Sequence, residues 1–105
     1  MLADVIRECE RRGILVIAAA GNDGCDCLNL PAAVSTVLAV GSVDETGEPL
    51  PFSNWGAAYR RRGVVAPGAG GTSYAAARVS GIAALLLSLQ RRYGHTPNPL
   101  RVRDA

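Results

Sequence analysis

The chain has 105 residues, enough for one domain at most. It is 49% hydrophobic and 19% charged, which is typical of a globular domain and not of a disordered segment. A formal net charge of +2 is too balanced to indicate nucleic-acid binding. The short basic run at residues 60–62 is interpreted as a solvated turn, with an anion-binding patch as the alternative.

The three cysteines, Cys9, Cys25 and Cys27, are an odd number and cannot form a complete disulfide framework. A structural zinc site needs four ligands, and His95 is the one histidine that could join them. We therefore predict buried or loop thiols, no bound metal and no cofactor.

No targeting or membrane segment is predicted. The first residues lack the basic segment and apolar run of a signal peptide. The apolar run at 79–89 has about half the length that a membrane span requires. These features leave the compartment open.

The first part of the chain predicts a helix and then a strand. Apolar residues at helical spacing predict an amphipathic helix over 2–12, which Gly13 ends. The continuous apolar run 14–19 is typical of a strand buried on both faces, as in a parallel sheet.

The rest of the chain continues the same alternation. Further strands are predicted at 37–43 and 63–66, and a long helix from Ser73 to about Tyr93. Pro97 and Pro99 precede another helix. The fold class is therefore α/β, a parallel sheet with packed helices, and ligands of such sheets bind at the carboxyl ends of the strands.

Two polar segments fall at those positions. Ser73 stands where the long helix begins, beside unpaired backbone N–H groups and the positive end of the helix dipole. Asn22 follows the first strand on a glycine-bearing loop, where its amide could donate to a developing oxyanion. The alternatives are that Thr72 or Ser73 is an N-cap and that Asn22 occupies a left-handed turn.

Together and in this order, the segments resemble the subtilisin-like serine peptidases (subtilases). The matching segments are 18–24, 30–31, 37–44, 52–56, 66–68, 71–75 and 79–81. Within the family, 24–27 and 52–56 look closest to the proteases that mature cyanobactin-type peptides. Such a role would imply a cytoplasmic enzyme, although secreted relatives are common.

The resemblance implies a serine endopeptidase that hydrolyses peptide bonds through an acyl-serine intermediate. Ser73 would be the nucleophile, and Asn22 would form the oxyanion hole with the Ser73 N–H. Ala19, Ala20 and Gly21 would form a wall of the primary specificity pocket. Residues 1–105 would be the C-terminal portion of a subtilisin-like three-layer domain, with a peptide or protein as substrate and neither nucleic acid nor membrane as partner.

The catalytic aspartate and histidine of the family are not found at matching positions. Both precede the serine in subtilisin, yet no histidine precedes Asn22, and Asp4 lies in no family motif. His95 lies beyond a helix about 30 Å long and cannot reach Ser73. We therefore expect the isolated chain to be inactive and to need the missing N-terminal half of the domain.

Two other functions are compatible with parts of the sequence. A degenerate subtilase that binds peptides without cutting them would also explain the missing residues. It would also fit the short connection at 69–70 and the alanine at Ala77, where the family usually has proline. A nucleotide-binding unit has only Gly21 and Gly24 in its favour, without the glycine spacing of a dinucleotide fingerprint.

Overall fold

The computed structural model describes residues 1–27, 29–55 and 63–104. The arginine run at 60–62 and the last residue of the 52–56 segment lie outside these ranges. The chain forms, in order, α1 (Leu2–Arg11), β1 (Ile17–Ala19), β2 (Leu38–Val43), β3 (Gly63–Pro67), α2 (Thr72–Arg92) and α3 (Pro99–Asp104).

The strands form a parallel sheet in the order β1-β2-β3. Ile17 pairs with Leu38, and Ala39 pairs with Gly63. The carboxyl ends of all three strands therefore meet at one edge of the sheet. The α/β fold with a parallel sheet, predicted from the buried apolar runs, is confirmed.

The central strand β2 divides the core between two layers. All six of its residues are buried. Because side chains alternate along a strand, Ala39 packs with Ile6 of α1, whereas Val40 packs with Ala75 of α2. Helix α2 thus packs against one face of the sheet, and Ile6 of α1 belongs to the core cluster on the other face.

Strand β1 is shorter and less covered than the sequence predicts. It begins at Ile17 instead of Ile14, and Ala18 is its one buried residue. The side chain of Ile14 is 51% exposed. This exposure follows from the position of β1, which is an edge strand of the sheet. No further strand among the described residues pairs with its open side.

Helix α2 has an apolar surface that the described part of the chain does not cover. Of the apolar residues of this helix, Ala83 is buried, but Ile82 is 56% exposed and Leu89 is 46% exposed. The helix has 21 residues and a mean hydropathy of 1.3 over its most apolar window. By length and composition alone the whole helix, which is longer than the apolar run at 79–89, could cross a membrane. Core helices of soluble domains meet the same criterion.

The prediction of thiols holds for Cys9 and is wrong for the other two cysteines. Cys25 and Cys27 form a disulfide, with a Cα–Cα distance of 5.2 Å, whereas Cys9 is free and half-buried. The Leu30–Pro31 peptide bond in the following segment is cis.

Candidate active site

A buried threonine joins the loop after β1 to the start of α2. The backbone N–H of Thr72 donates to Asn22 Oδ1 at 2.9 Å, and its hydroxyl donates to the same oxygen at 3.0 Å. The Gly21 N–H donates to Thr72 Oγ1 at 3.2 Å. Thr72 is completely buried. Residues that are fifty positions apart in sequence are therefore fixed to each other at the carboxyl edge of the sheet.

These bonds determine how the Asn22 carboxamide is oriented. A backbone N–H can only donate, so the atom that faces Thr72 must be the oxygen of the amide. The Nδ2 amino group therefore faces away from Thr72, and its hydrogens have no acceptor among residues 1–27, 29–55 and 63–104. A methyl group on Gly71 would lie 3.6 Å from this nitrogen, which places the donor beside the N-terminus of α2. Asn22 is exposed, so a ligand can reach it.

Ser73 is the second residue of α2 and is exposed. The N-cap is Gly71, with φ 137°, and no side chain caps the helix. Neither Thr72 nor Ser73 is therefore an N-cap. The first turn of α2 contains no acidic residue, so no carboxylate offsets the positive end of the helix dipole next to the Ser73 hydroxyl.

Asn54 fixes the other side of the asparagine loop. Its side chain is 2% exposed. Its Nδ2 donates to the Ala20 carbonyl at 3.1 Å. Its Oδ1 accepts from the N–H groups of Asp23 at 2.8 Å and Cys25 at 3.4 Å. Asn22 therefore lies between segments that one buried carboxamide holds in place.

Sequence reasoning missed the roles of Thr72 and Asn54. Both residues lie inside segments that carry the family resemblance, but their partners are distant in the chain. A buried asparagine within a tight turn sequence is the signal that could have identified Asn54, because a buried amide must find partners.

The three residues predicted to form the pocket wall differ in burial and in their surroundings. Ala19 ends β1 and is half-buried, whereas Ala20 is completely buried and belongs to the core cluster of Ile6. Only the backbone of Ala20 could therefore line a substrate site. Gly21 has φ 111°, and a methyl group there would collide with the side-chain amides of Asn29 and Asn54.

Asp4 and His95 lie away from this edge. Asp4 is exposed on α1 and forms ion pairs with the N-terminal amine and, at 3.8 Å, with Arg7. His95 follows the C-terminal end of α2, where its backbone N–H donates to the Gln90 carbonyl at 2.9 Å. Ser73 lies at the opposite end of that helix, about 30 Å away at 1.5 Å per residue.

The short connection between β3 and α2 is a tight turn. The Gly71 N–H donates to the Gly68 carbonyl at 3.0 Å, and the Gly68 N–H donates to Val43 at 3.3 Å. A methyl group on Gly68 would lie 2.9 Å from the Ala75 nitrogen. The connection at 69–70 is therefore long enough to place Ser73 at the end of β3.

The structure thus places a serine at a helix N-terminus beside an oriented asparagine amide. The sequence that carries these residues is similar to known proteins. Residues 2–103 match the sequence profile of the subtilase family. The chain belongs to the subtilase family.

Relatives of this subtilase include bacterial proteases. The chain is 35% identical over 112 residues to the thermostable alkaline protease of Halalkalibacterium halodurans, covering 93% of this chain and 30% of that protein. It is 33% identical over 99 residues to M-protease of Shouchella clausii, covering 81% of this chain and 25% of that protein.

Solved structures of peptide-maturation proteases are also similar. The self-cleaved protease domain of PatA is 48% identical, with a TM-score of 0.95, over 98% of this chain and 44% of that chain. The prenylagaramide maturation protease PagA is 47% identical, with a TM-score of 0.93, over 96% and 42%. The PatG macrocyclase in complex with peptide is 34% identical, with a TM-score of 0.94, over 99% and 37%.

The subtilase chain therefore spans less than half the length of each of these relatives. The predicted resemblance to subtilases and to cyanobactin-type maturation proteases is confirmed by these comparisons. The activity of the complete domain is treated below as a proposal.

A threonine substitution tests the link between the two segments. We expect Thr72→Val to destabilise this subtilase chain by about 1–3 kcal/mol, because the Gly21 N–H would lose its acceptor and the Asn22 oxygen would lose one donor. Thr72→Ser keeps the hydroxyl and should cost less. Urea denaturation of both variants measures the difference, and equal stabilities would show that the hydroxyl does not fix the loop.

Proposed function

We propose that this chain supplies the nucleophile and the oxyanion hole of a serine endopeptidase. The observation that carries the proposal is the pair of bonds from Thr72 to Asn22 Oδ1. These bonds leave the amide N–H groups of Asn22 beside the start of α2, where Ser73 is exposed.

In the proposed reaction, the Ser73 hydroxyl attacks the carbonyl carbon of a peptide bond. The carbonyl oxygen becomes an oxyanion, which accepts from Asn22 Nδ2 and from the Ser73 N–H. Both donors are fixed before the reaction begins, so they stabilise the new charge without reorganising. Loss of the amine leaves an acyl-serine, which water then hydrolyses.

The attacking hydroxyl needs a general base, since a serine hydroxyl alone is a weak nucleophile. His95 lies at the far end of α2, and Asp4 is engaged on α1. We therefore propose that the catalytic aspartate and histidine come from a separate upstream half of the domain. The exposed apolar residues of α2, such as Ile82 and Leu89, supply a surface on which such a half could pack. This partner, and not nucleic acid or a membrane, is the one we propose.

The substrate class that the relatives favour is a peptide that is cut during maturation. Identity to the PatA and PagA structures is 48% and 47%, against 34% to the PatG macrocyclase. We therefore propose cleavage of a precursor peptide in preference to macrocyclisation. The disulfide-bearing loop at 24–27 lies directly after Asn22 and would be part of the substrate-facing surface.

A chimera tests the proposal directly. The C-terminal part of the PatA protease domain that matches this chain is replaced by residues 1–105, so that the PatA part supplies the missing residues. We expect the chimera to cleave a PatA peptide substrate and the isolated chain to show no measurable cleavage. Robust cleavage by the isolated chain would contradict the proposed division of the site.

A second outcome would identify the alternative function. A folded chimera that binds the peptide in a fluorescence polarisation assay but does not cleave it would support a non-catalytic peptide-binding module. Circular dichroism on the same samples separates this outcome from a failure to fold.

A further inference from the structure

A cluster of metal-binding side chains lies next to the candidate active site. Ligand atoms of Asp23, Cys25 and Cys27 all lie within 4.8 Å of one another. We propose that these residues form a redox-gated binding site for one soft divalent cation, such as Zn²⁺ or Cd²⁺. Thiolate sulfur and carboxylate oxygen are both zinc ligands, and thiolates favour soft cations. The sequence-based expectation of no metal counted cysteine and histidine and omitted the carboxylate of Asp23.

The disulfide between Cys25 and Cys27 is the closed form of this site. Metal ligation requires thiolates, and disulfide sulfurs carry no ionisable proton. A water-soluble phosphine breaks the S–S bond, and the two sulfurs gain two electrons and, from water, two protons. The phosphine takes the oxygen of that water and becomes a phosphine oxide. The cation then displaces the two thiol protons and forms two metal–sulfur bonds.

The surroundings of the cluster fit a reduced, metal-binding state. Cys25 Sγ lies 3.7 Å from Asn54 Oδ1. After reduction, the Cys25 thiol would therefore have a hydrogen-bond acceptor until a cation displaces its proton. Asp23 Oδ2 accepts from Asn29 Nδ2 at 3.2 Å, which orients the carboxylate as partners of metal ligands commonly do. Asp23 is exposed and the two cysteines are half-buried, so a cation can enter from solvent.

Hydrogen bonds hold the Asp23–Cys25 part of the cluster in addition to the disulfide. The Gly24 N–H donates to the Phe52 carbonyl at 2.9 Å, and the Trp55 N–H donates to the Cys25 carbonyl at 2.9 Å. Asn54 adds its own bonds to the N–H groups of Asp23 and Cys25. Reduction would therefore leave the three ligands close together, and little ordering would be required for binding.

The site would be open and not a closed structural one. Three protein ligands leave one position of a tetrahedral cation for water or another small ligand. The inference stands independently of the peptidase proposal, because binding can be measured without any catalytic activity.

The test uses the complete 105-residue chain with and without phosphine reduction. Thiol titration of the denatured chain should give one thiol before reduction, from Cys9, and three afterwards. Cadmium titration, followed by thiolate–cadmium absorption in the near ultraviolet, should give one bound cation in the reduced chain and none in the oxidised chain. The bound cation should also raise the melting temperature of the reduced chain only.

Variants identify the ligands. Cys25→Ser and Cys27→Ser should each abolish the absorption, whereas Cys9→Ser, the matched control, should leave it unchanged. Asp23→Asn should weaken the affinity by at least about 10-fold, because removal of even the partners of metal ligands costs about 10–100-fold and Asp23 would itself be a ligand. Three thiols before reduction, equal binding by oxidised and reduced chains, or full binding by Asp23→Asn would each overturn the proposal.

Discussion

Replacing Ser73 with alanine is expected to lower kcat of the chimeric enzyme by a factor on the order of 10⁶, as loss of the nucleophile does in subtilisin, a member of the same family. The substitution removes only the hydroxyl group, and Ser73 is exposed, so the fold should be unaffected. Single-turnover cleavage of a fluorogenic peptide measures the loss, and the melting temperature of the variant should match that of the parent.

The matched control for this substitution lies on the same helix. Ser80 is also exposed, and its hydroxyl donates to the Ala76 carbonyl at 2.9 Å. Ser80→Ala therefore removes the same group, a serine hydroxyl, from a later turn of α2. We expect Ser80→Ala to retain kcat within about twofold of the parent, since exposed substitutions of this kind change stability by only about 0.5 kcal/mol. Equal losses in the two variants would show that Ser73 acts through the helix and not as a nucleophile.

Replacing Asn22 with aspartate is expected to lower kcat of the chimera by about 10²–10³-fold, the loss that removal of an oxyanion-hole asparagine causes in subtilisin. Aspartate keeps an oxygen that can accept from the N–H and hydroxyl of Thr72. It replaces the Nδ2 donor with a second oxygen that repels the oxyanion. The substitution therefore separates the catalytic function of the amide from its structural function.

The stability of the same variant is the control. Asn22→Asp should unfold at nearly the same urea concentration as the parent, because both bonds from Thr72 remain possible. Asn22→Ala removes these bonds and should lower kcat and stability together. An Asn22→Asp chimera with undiminished kcat would mean that Asn22 only holds the loop.

The sequence predicted the sheet because its strands are runs of mainly apolar residues, in which Ser42 is the one polar side chain of the central strand. Residues 38–43 are buried on both faces, and such a run indicates a parallel strand without knowledge of its neighbours. The start of α2 was also predictable, since glycine residues and a turn precede a long apolar repeat. Both signals come from residues that are neighbours in the chain, so a single sequence is enough to detect them.

The sequence could not predict which helix residues would be covered. Helical periodicity marks Ile82, Leu86 and Leu89 as apolar, yet they are 56%, 40% and 46% exposed. Helical periodicity identifies an apolar face of a helix. It does not show which segment covers that face. The exposures show only that the described part of this chain does not cover this face of α2.

The sequence analysis named Ser73 and Asn22 as candidate site residues, but it did not name the residues that hold them in place. Ser73 and Asn22 stand out because hydroxyl and amide groups follow strand and turn signals. Thr72 and Asn54 act through bonds to residues 29 to 51 positions away, and no spacing rule in one sequence predicts such pairs. The disulfide was missed for a different reason, because counting an odd number of cysteines does not show which two lie together.

The most direct test of the nucleophile is its covalent capture. The chimera is treated with a fluorophosphonate, digested with trypsin and analysed by mass spectrometry. We predict a single phosphonyl adduct on Ser73, with the Asn22→Asp variant labelled more slowly and the Ser73→Ala variant unlabelled. A folded chimera that cleaves peptide but carries the adduct on another serine, or carries none, would contradict the assignment of Ser73 as the attacking residue.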